Sequence, residues 1–259
     1  MIIEFKKKEM VEALKNVELK GKWSSTSGLS SKSLGKYIYF KIDDNCLILV
    51  NADESTVCGK SIPIESESVM GSFVLEIDTL KKYMVKMNED ITLTIDSTVV
   101  MQSDGKKATM PIVVRHPFSG RIDRLLNQWP ISYQEDIVDM PYLGQIKPEC
   151  GVQVTGEILH EAIDACEIVN NGIYKLDFKM EDDITRPKFI ISSEQLSSSY
   201  KEEVTMNNNN GESATVVFSG PLHKFFNKND IINIFIGDNQ PIIMITENSA
   251  LIRAQRLGV

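Results

Sequence analysis

The chain has 259 residues, 42% of them hydrophobic, and a formal net charge of −8. This length suits one large domain or two ordinary ones, and the apolar content is sufficient for buried cores. The acidic balance argues against a protein that reads DNA sequence through a broadly basic face, although the positions of the charges matter more than their sum. The sequence has no run of about 18 apolar residues and no signal-peptide pattern at its start, so we expect no membrane association.

The first half of the chain predicts two helices among short strands. A helix over 8–17 has Met10, Leu14 and Val17 on one apolar stripe at helical spacing. A second helix follows Asp78, a residue type that caps helix N-termini, and presents Leu80 on its inner face. Strands are predicted over 2–6, 37–42, 46–51, 56–64, 73–77, 91–95, 98–102 and 108–114.

The stretch 116–145 interrupts this pattern, because it contains three prolines and has little regular periodicity. Such a stretch is typical of a boundary between domains. We therefore predict an N-terminal domain over 1–116, a linker over 117–148 and a C-terminal domain over 149–259. The four cysteines are far apart in sequence, which indicates reduced thiols and no metal-binding spacing.

The second half predicts a similar succession of elements. A helix over 157–169 follows Thr155 as N-cap, and another follows Ser219 with Pro221 in its first turn. The run 207–211 (NNNNG) predicts a polar, mobile loop tip. Strands are predicted over 150–154, 173–180, 187–192, 199–206, 214–218, 231–236, 241–246 and 250–255.

Two stretches of the chain, 74–104 and 217–248, resemble each other. The aligned pairs are Leu80 and Leu222, Lys82 and Lys224, Lys86 and Lys228, and Asp90 and Asp230. Each copy predicts a strand, a capped helix with two lysines four residues apart, and two further strands. Because internal repeats fix an architecture, we predict an α+β fold of two similar domains. Each half then holds two units of strand, helix and several strands, and the chain holds four.

This ordered set of elements resembles the DNA sliding clamps of the proliferating cell nuclear antigen type. The resemblance covers essentially the whole chain, and its local marks are EALK at 12–15, NEDITL at 88–93 and the ending QPIIMITENSALIRAQRLG at 240–258. It implies domains of two β-α-β-β-β units each, with helices on one face and antiparallel sheets outside. It also implies three subunits that close head to tail into a ring, with the helices lining the hole. Edge strands over 107–114 and 188–192 are expected to join the subunits and so cover unpaired sheet edges.

The function implied by the resemblance is that of a processivity factor without enzymatic activity. Such a homotrimer encircles double-stranded DNA and tethers DNA polymerase and other DNA-processing proteins, and it needs a clamp loader if the ring is stable. The resemblance implies no cofactor and no metal. It places the protein in the cytoplasm of a prokaryote or a virus-infected host, or in the nucleus of a eukaryote.

Basic side chains on the predicted helices are the candidates for DNA contact. A lysine is a point charge on a flexible stem, which attracts phosphate without fixing a register and so permits sliding. The alternative is an ordinary solvated helix face, but the recurrence of the lysine pair favours function. The helix over 157–169 departs from the pattern, because its polar residues are mostly acidic. The candidates are Lys8, Lys15, Lys81, Lys82, Lys86, His223, Lys224 and Lys228.

Apolar residues of the linker and the C-terminal strands are the candidates for partner binding, since a few anchors in a pocket carry most of the energy of such contacts. The alternative is that the linker residues only fasten the linker to a sheet. The candidates are Leu125, Leu126, Trp129, Ile137 and Met140 on the linker side, with Pro241, Ile252 and Leu257 on the opposite wall.

Motifs of phosphate-binding loops, serine hydrolases and zinc proteases are absent from the sequence. The three histidines are scattered and are interpreted as surface or linker residues, so no catalytic or metal site is predicted. Three alternatives stay open: a clamp-fold viral processivity or transcription factor that acts as a non-encircling monomer, a subunit of a repair or checkpoint hetero-ring, and an α+β enzyme whose repeat is coincidental.

Overall fold

A computed structural model describes residues 1–19, 35–43, 45–66, 70–127, 146–170, 172–180 and 187–256. Within these residues the chain divides into two compact units, the first ending at Leu125 and the second beginning at Leu126. The division falls inside the predicted linker, near the end of a helix. None of the described helices is long and apolar enough to span a membrane.

Unit 1 contains two repeats of strand, helix and three strands. In the first sheet the strand order is β5-β1-β7-β8-β9, and in the second group it is β4-β3-β2-β6, with antiparallel pairing throughout. The elements are β1 (Ile2–Lys6), α1 (Lys7–Val17), β2 (Tyr37–Asp43), β3 (Cys46–Ala52), β4 (Thr56–Pro63), β5 (Glu65–Ser66), β6 (Gly71–Glu76), α2 (Ile77–Lys86), β7 (Asp90–Ile95), β8 (Thr98–Ser103), β9 (Lys106–Pro111) and α3 (Ser119–Leu126).

Unit 2 repeats this plan with one helix shortened. Its strand orders are β14-β10-β16-β17-β18 and β13-β12-β11-β15, and the pairing is again antiparallel. The elements are β10 (Cys150–Thr155), α4 (Gly156–Val169), β11 (Ile173–Lys179), β12 (Lys188–Gln195), β13 (Ser198–Val204), β14 (Asn208–Gly211), β15 (Ala214–Ser219), a 3-10 turn (Leu222–Phe225), β16 (Ile231–Ile236), β17 (Ile242–Ile245) and β18 (Ser249–Arg253).

The two repeats of each unit exchange strands. In unit 1 the strand before α1 pairs with the strand after α2, and the strand after α1 pairs with the strand before α2. In unit 2 the strands flanking α4 pair with β16 and β15 in the same way. The predicted α+β architecture of repeated β-α-β-β-β units is therefore confirmed, except that the last unit has a 3-10 turn in place of its helix.

The helices pack through the apolar stripes that the sequence predicts. Met10, Leu14 and Val17 of α1 are buried, and α1 contacts β1, β3 and β4. Leu80 and Met84 of α2 are buried in the same way. Each fully buried side chain of this size contributes roughly 1.5–3 kcal/mol, so these stripes anchor the helices to their sheets.

Several predicted boundaries differ from the structure. Helix α2 begins at Ile77 with Glu76 as the N-cap residue, so Asp78 lies in the first turn, where its charge still favours the positive end of the helix dipole. Thr155 does cap α4, since its hydroxyl accepts a hydrogen bond from the Ile158 amide at 3.4 Å. The predicted loop tip at 207–211 is largely the strand β14, which pairs with β10.

Candidate nucleic-acid interface

Helices α1 and α2 of unit 1 contact each other as an antiparallel pair. At one end, Lys7 donates from its amide to the Glu89 carbonyl at 2.7 Å and from Nζ to the Met87 carbonyl at 2.7 Å. The Lys7 ammonium therefore covers carbonyls at the C-terminal end of α2, where a cation is favoured. At the other end, Lys81 forms an ion pair with Glu18. These contacts fix the two helices side by side.

The lysine side chains of this pair fall into two groups. Lys8, Lys15, Lys82 and Lys86 are exposed, two on each helix. Lys81 is half-buried, and its ammonium is held by Glu18. Lys8, Lys15, Lys82 and Lys86 are therefore exposed to solvent, where a phosphate backbone can reach them, and Lys81 lies in the contact between the helices.

In unit 2 the counterpart of α2 is only the four-residue 3-10 turn. Lys224 lies on this turn and Lys228 lies beyond its end, and both side chains are exposed. The prediction of a second capped helix that carries both lysines is therefore wrong. His223 is 1% exposed, so its side chain is not placed to contact DNA, and that part of the prediction is corrected.

Local hydrogen bonds explain why the second helix stops so early. The Asp230 carboxylate accepts from the Asn227 amide at 2.8 Å, and the Asp230 amide donates to the Asn227 carbonyl at 3.1 Å. Aspartate side chains that bind nearby backbone in this way compete with helix formation. Before the turn, Gly220 has a φ of 95°, a conformation that favours glycine. Sequence periodicity alone does not reveal either constraint.

The buried Tyr174 holds this turn in place through two hydrogen bonds of its hydroxyl. Its hydroxyl donates to the Gly220 carbonyl and accepts from the Leu222 amide at 3.1 Å. Burial raises the pKa of the Tyr174 phenol well above its usual range, so the proton needed for the first bond stays in place. The turn is thus a fixed part of unit 2.

The solvent face of α4 is acidic. Glu157, Glu161 and Asp164 are exposed, and Glu167 is half-buried. The predicted departure of this helix from a basic pattern is therefore present in the structure. The inner face contains Leu159, Ala162, Ile163 and Cys166, which form its buried stripe.

Two of the three histidines come together between α4 and the 3-10 turn, which the sequence analysis missed. The rings of His160 and His223 are 4.8 Å apart between centroids, and His223 Nε2 lies 3.1 Å from Asp164 Oδ1. Burial, partly opposed by the Asp164 charge, lowers the pKa of His223 to about 4. His223 is therefore neutral near pH 7 and donates a hydrogen bond to Asp164. The i, i+4 spacing of His160 and Asp164 was the available signal.

The third histidine, His116 of unit 1, is also buried but has both ring nitrogens occupied. Nε2 donates to the Tyr37 carbonyl at 3.1 Å, and Nδ1 accepts from the Phe118 amide at 3.1 Å. Burial lowers the pKa of His116, although the bond to Tyr37 opposes this shift. The residue is structural, and not the surface or linker histidine that the sequence predicts.

The predicted partner-binding residues are placed very differently. Leu125 and Leu126 lie on α3 and are 0% and 8% exposed, so their side chains are packed within the fold and offer no exposed anchor. Their helix went unpredicted because neighbouring prolines obscured its period. Pro241 and Ile252 are half-buried in unit 2. Trp129, Ile137, Met140 and Leu257 lie outside the described residues.

Of the two predicted strand edges, one is a sheet edge in the structure and the other is not. In unit 1 the last strand of its sheet is β9, which matches the predicted edge at 107–114. In unit 2 the edge strand is β13, while β12, which contains the predicted 188–192, lies between β13 and β11. In unit 2, β13 and not β12 is therefore the strand that can pair with another chain, because only an edge strand offers unpaired backbone groups.

Comparisons with known proteins find likeness in structure but not in sequence. No protein-family model matches the chain, and no curated protein matches it. A DNA polymerase III β subunit from Eubacterium rectale superposes with a TM-score of 0.74 at 13% identity. The superposition covers 100% of this chain and 66% of the Eubacterium rectale chain. PCNA of A. fulgidus, bound to the C-terminal region of FEN-1, has a TM-score of 0.72 at 13% identity and is covered over 100% of both chains.

A third similar structure is the Helicobacter pylori β clamp bound to a DNA ligase peptide, with a TM-score of 0.67 at 13% identity. These superpositions cover all of this chain but only about two thirds (64–67%) of the bacterial clamp chains. The whole length of this chain is matched by the archaeal clamp chain. From the exchanged strands of each unit and these superpositions, we conclude that the chain has the fold of the DNA sliding clamps.

Proposed function

We propose that this protein is a DNA polymerase processivity factor that encircles double-stranded DNA as a homotrimeric ring. The observation that carries the proposal is the antiparallel pair α1 and α2 with its four exposed lysines, Lys8, Lys15, Lys82 and Lys86. Point charges spread over two helices attract phosphate at many positions without reading bases, which is the chemistry of a protein that slides. The role itself is that of a tether and involves no catalysis.

Charge complementarity of the free edges supports head-to-tail closure. Edge strand β9 begins with the exposed Lys106 and Lys107, whereas edge strand β13 carries Glu202 and the exposed Glu203 against one exposed lysine, Lys201. Pairing β9 of one subunit with β13 of the next brings opposite charges together and satisfies both open edges. A chain as long as the archaeal clamp supports the same number of domains in each subunit as that protein.

We further propose that polymerase and other DNA-processing proteins bind unit 2 through short peptides. The A. fulgidus and H. pylori structures hold such segments, from FEN-1 and from a DNA ligase. In this chain Pro241 and Ile252 are partly exposed apolar residues at the start of β17 and on β18, which suits one wall of a peptide site. A stable ring requires a loader to open it, and the protein acts wherever the replicating DNA lies, in the cytoplasm or the nucleus.

The mass of the protein in solution tests ring closure. Light scattering over a tenfold concentration range should give a species near three times 29.1 kDa. The double variants Lys106→Glu/Lys107→Glu and Glu202→Lys/Glu203→Lys should each dissociate it, and combining all four changes should restore it, because opposite charges then face each other again. A monomer at every concentration would instead favour a non-encircling factor.

A matched control separates this interface from a general charge effect. Lys147→Glu/Lys179→Glu changes the net charge as much as the first double variant, but both lysines are exposed and belong to neither β9 nor β13. This control should keep the trimer. If it dissociates equally, the edges are not the interface.

A further inference from the structure

We propose that His160, Asp164 and His223 form a binding site for a divalent transition metal of the zinc class. One ligand atom from each of the three residues lies within 4.8 Å of the others. His160 and Asp164 are one turn apart on α4, and His223 comes from the 3-10 turn that packs against it. The site lies wholly within unit 2.

The distance between two of the ligand atoms already suits a bound metal. Zn²⁺ bonds of about 2.0–2.1 Å to nitrogen and oxygen, set at a tetrahedral angle, place ligand atoms roughly 3.3 Å apart. His223 Nε2 and Asp164 Oδ1 are 3.1 Å apart. A metal between them replaces their hydrogen bond with two bonds, and the proton of neutral His223 then resides on Nδ1 instead of Nε2.

The hydrogen bonding of both imidazoles favours coordination. His160 Nε2 donates to the Phe226 carbonyl at 3.0 Å, which leaves the lone pair on Nδ1. Ligand histidines commonly fix their tautomer through such a carbonyl. His223 Nδ1 is buried and has no hydrogen-bond partner among the described residues. Nδ1 is unpaired in either tautomer of the neutral ring, so a shift of the proton from Nε2 to Nδ1 breaks no hydrogen bond at that nitrogen.

The surrounding charges and the ligand types select the metal. Glu161 and Glu167 of α4 add negative charge around the site, and the nearby Lys224 is the positive charge that opposes them. Two imidazoles and one carboxylate favour Zn²⁺, Co²⁺ or Ni²⁺ over Mg²⁺ and Ca²⁺, which prefer oxygen. A bound ion would fasten the 3-10 turn to α4 and reduce the negative charge of the acidic face.

Zinc binding to the full-length chain without an affinity tag tests the site. Calorimetric titration with Zn²⁺ alone should give one ion per chain. Asp164→Asn and His160→Gln should each weaken binding by about a hundredfold or more, because even loss of an outer hydrogen bond costs about 10–100-fold. Both variants keep a polar side chain of similar size, and circular dichroism without metal confirms their folding.

Glu157→Gln is the matched control, since it removes one exposed charge from the same helix without touching the three ligands. It should retain Zn²⁺ affinity within about twofold, as expected when only screened surface charge changes. Bound Co²⁺ should show the intense visible bands of tetrahedral coordination, and Asp164→Asn should abolish them. The proposal is overturned if wild type binds no Zn²⁺, or if Asp164→Asn and Glu157→Gln weaken binding equally.

Discussion

The helix pair α1 and α2 of unit 1 and its counterpart in unit 2 share a backbone contact but differ in side-chain chemistry. The first residue of α1, Lys7, donates its amide to the Glu89 carbonyl at 2.7 Å, and the first residue of α4, Gly156, donates to the Asp230 carbonyl at 2.8 Å. The helices at the first contact carry the exposed lysines Lys8, Lys15, Lys82 and Lys86, whereas the helix at the second has an acidic face and a histidine pair beside it. The two units thus share the path of the backbone at this contact, while the charge of the surface and the length of the second helix differ between them.

Residue size at the shared contact gives the largest expected effect. A Cβ added to Gly156 would lie 2.1 Å from the Asn227 carbonyl oxygen, whereas at the matching position Lys7 extends over α2. Because a backbone atom blocks the space, Gly156→Ala must displace either α4 or the segment after the 3-10 turn. We expect the free energy of unfolding to fall by about 3 kcal/mol, as in overpacked cores, measured by urea denaturation.

Gly120→Ala provides the control for that experiment. Gly120 is exposed on α3 and has no atom within 4 Å of an added Cβ. Alanine should therefore be neutral or stabilise the protein by about 0.5 kcal/mol through its helix propensity. Equal behaviour of the two variants would show that the close approach at Gly156 is absent in solution.

The lysine pairs of the two units give the next largest effect. Lys82→Glu/Lys86→Glu should weaken binding of a random-sequence duplex by about tenfold or more and lower the slope of log affinity against log salt by about 0.9 per lost phosphate contact. Lys224→Glu/Lys228→Glu should do less, because α4 beside the turn is already acidic. Fluorescence anisotropy at several salt concentrations measures both quantities.

Lys147→Glu/Lys179→Glu is again the charge-matched control and should change affinity least. If the Lys224 and Lys228 variant has the larger effect, the basic pair of unit 1 is not the principal DNA contact. If all three variants behave alike, binding follows net charge and no helix face is specific.

The smallest expected effect is on the pH dependence of stability, to which the buried His116 contributes. The pKa of His116 is lowered from 6.5 by burial, so the folded state resists a proton that the unfolded state accepts. Stability should therefore fall as the pH drops below about 6.5. His116→Asn keeps an acceptor for the Phe118 amide but does not titrate, so its loss of stability between pH 7.5 and 5.5 should be smaller.

Urea unfolding at the two pH values measures this difference. His160 and His223 are present in both proteins, so their contributions cancel in the comparison. An identical pH dependence would mean that His116 takes up its proton equally well in the folded state.

Sequence periodicity predicted those elements that are held by their own apolar stripe. Helix α1 and its buried Met10, Leu14 and Val17 follow directly from spacing, and so does the first helix of unit 2. The internal repeat then predicted the architecture, because two stretches with the same order of strands and helices are expected to bury the same faces of those elements. These are local properties, which a single sequence records.

Features that depend on distant partners escaped prediction. The alignment of Lys224 and Lys228 with a lysine pair on α2 suggested a helix, but Asp230 and Tyr174 hold that stretch in a 3-10 turn. His160 and His223 are separated by more than 60 residues of chain and meet only because α4 packs on the turn. Which of β12 and β13 forms the sheet edge depends likewise on pairing that periodicity does not specify.

The exchange of strands between repeats also decides how the chain can fold. β1 and β2 find their partners in β7 and β6, which belong to the other repeat. During synthesis β1 can pair with β5 and β2 with β3 in the first repeat, but the other edge of each strand stays unpaired until the second repeat has left the ribosome. Such non-local pairing has to close long loops first, which slows folding. The smallest cooperative folding unit is thus a complete pair of repeats, and each unit of the chain must be finished before its first strands are protected from aggregation.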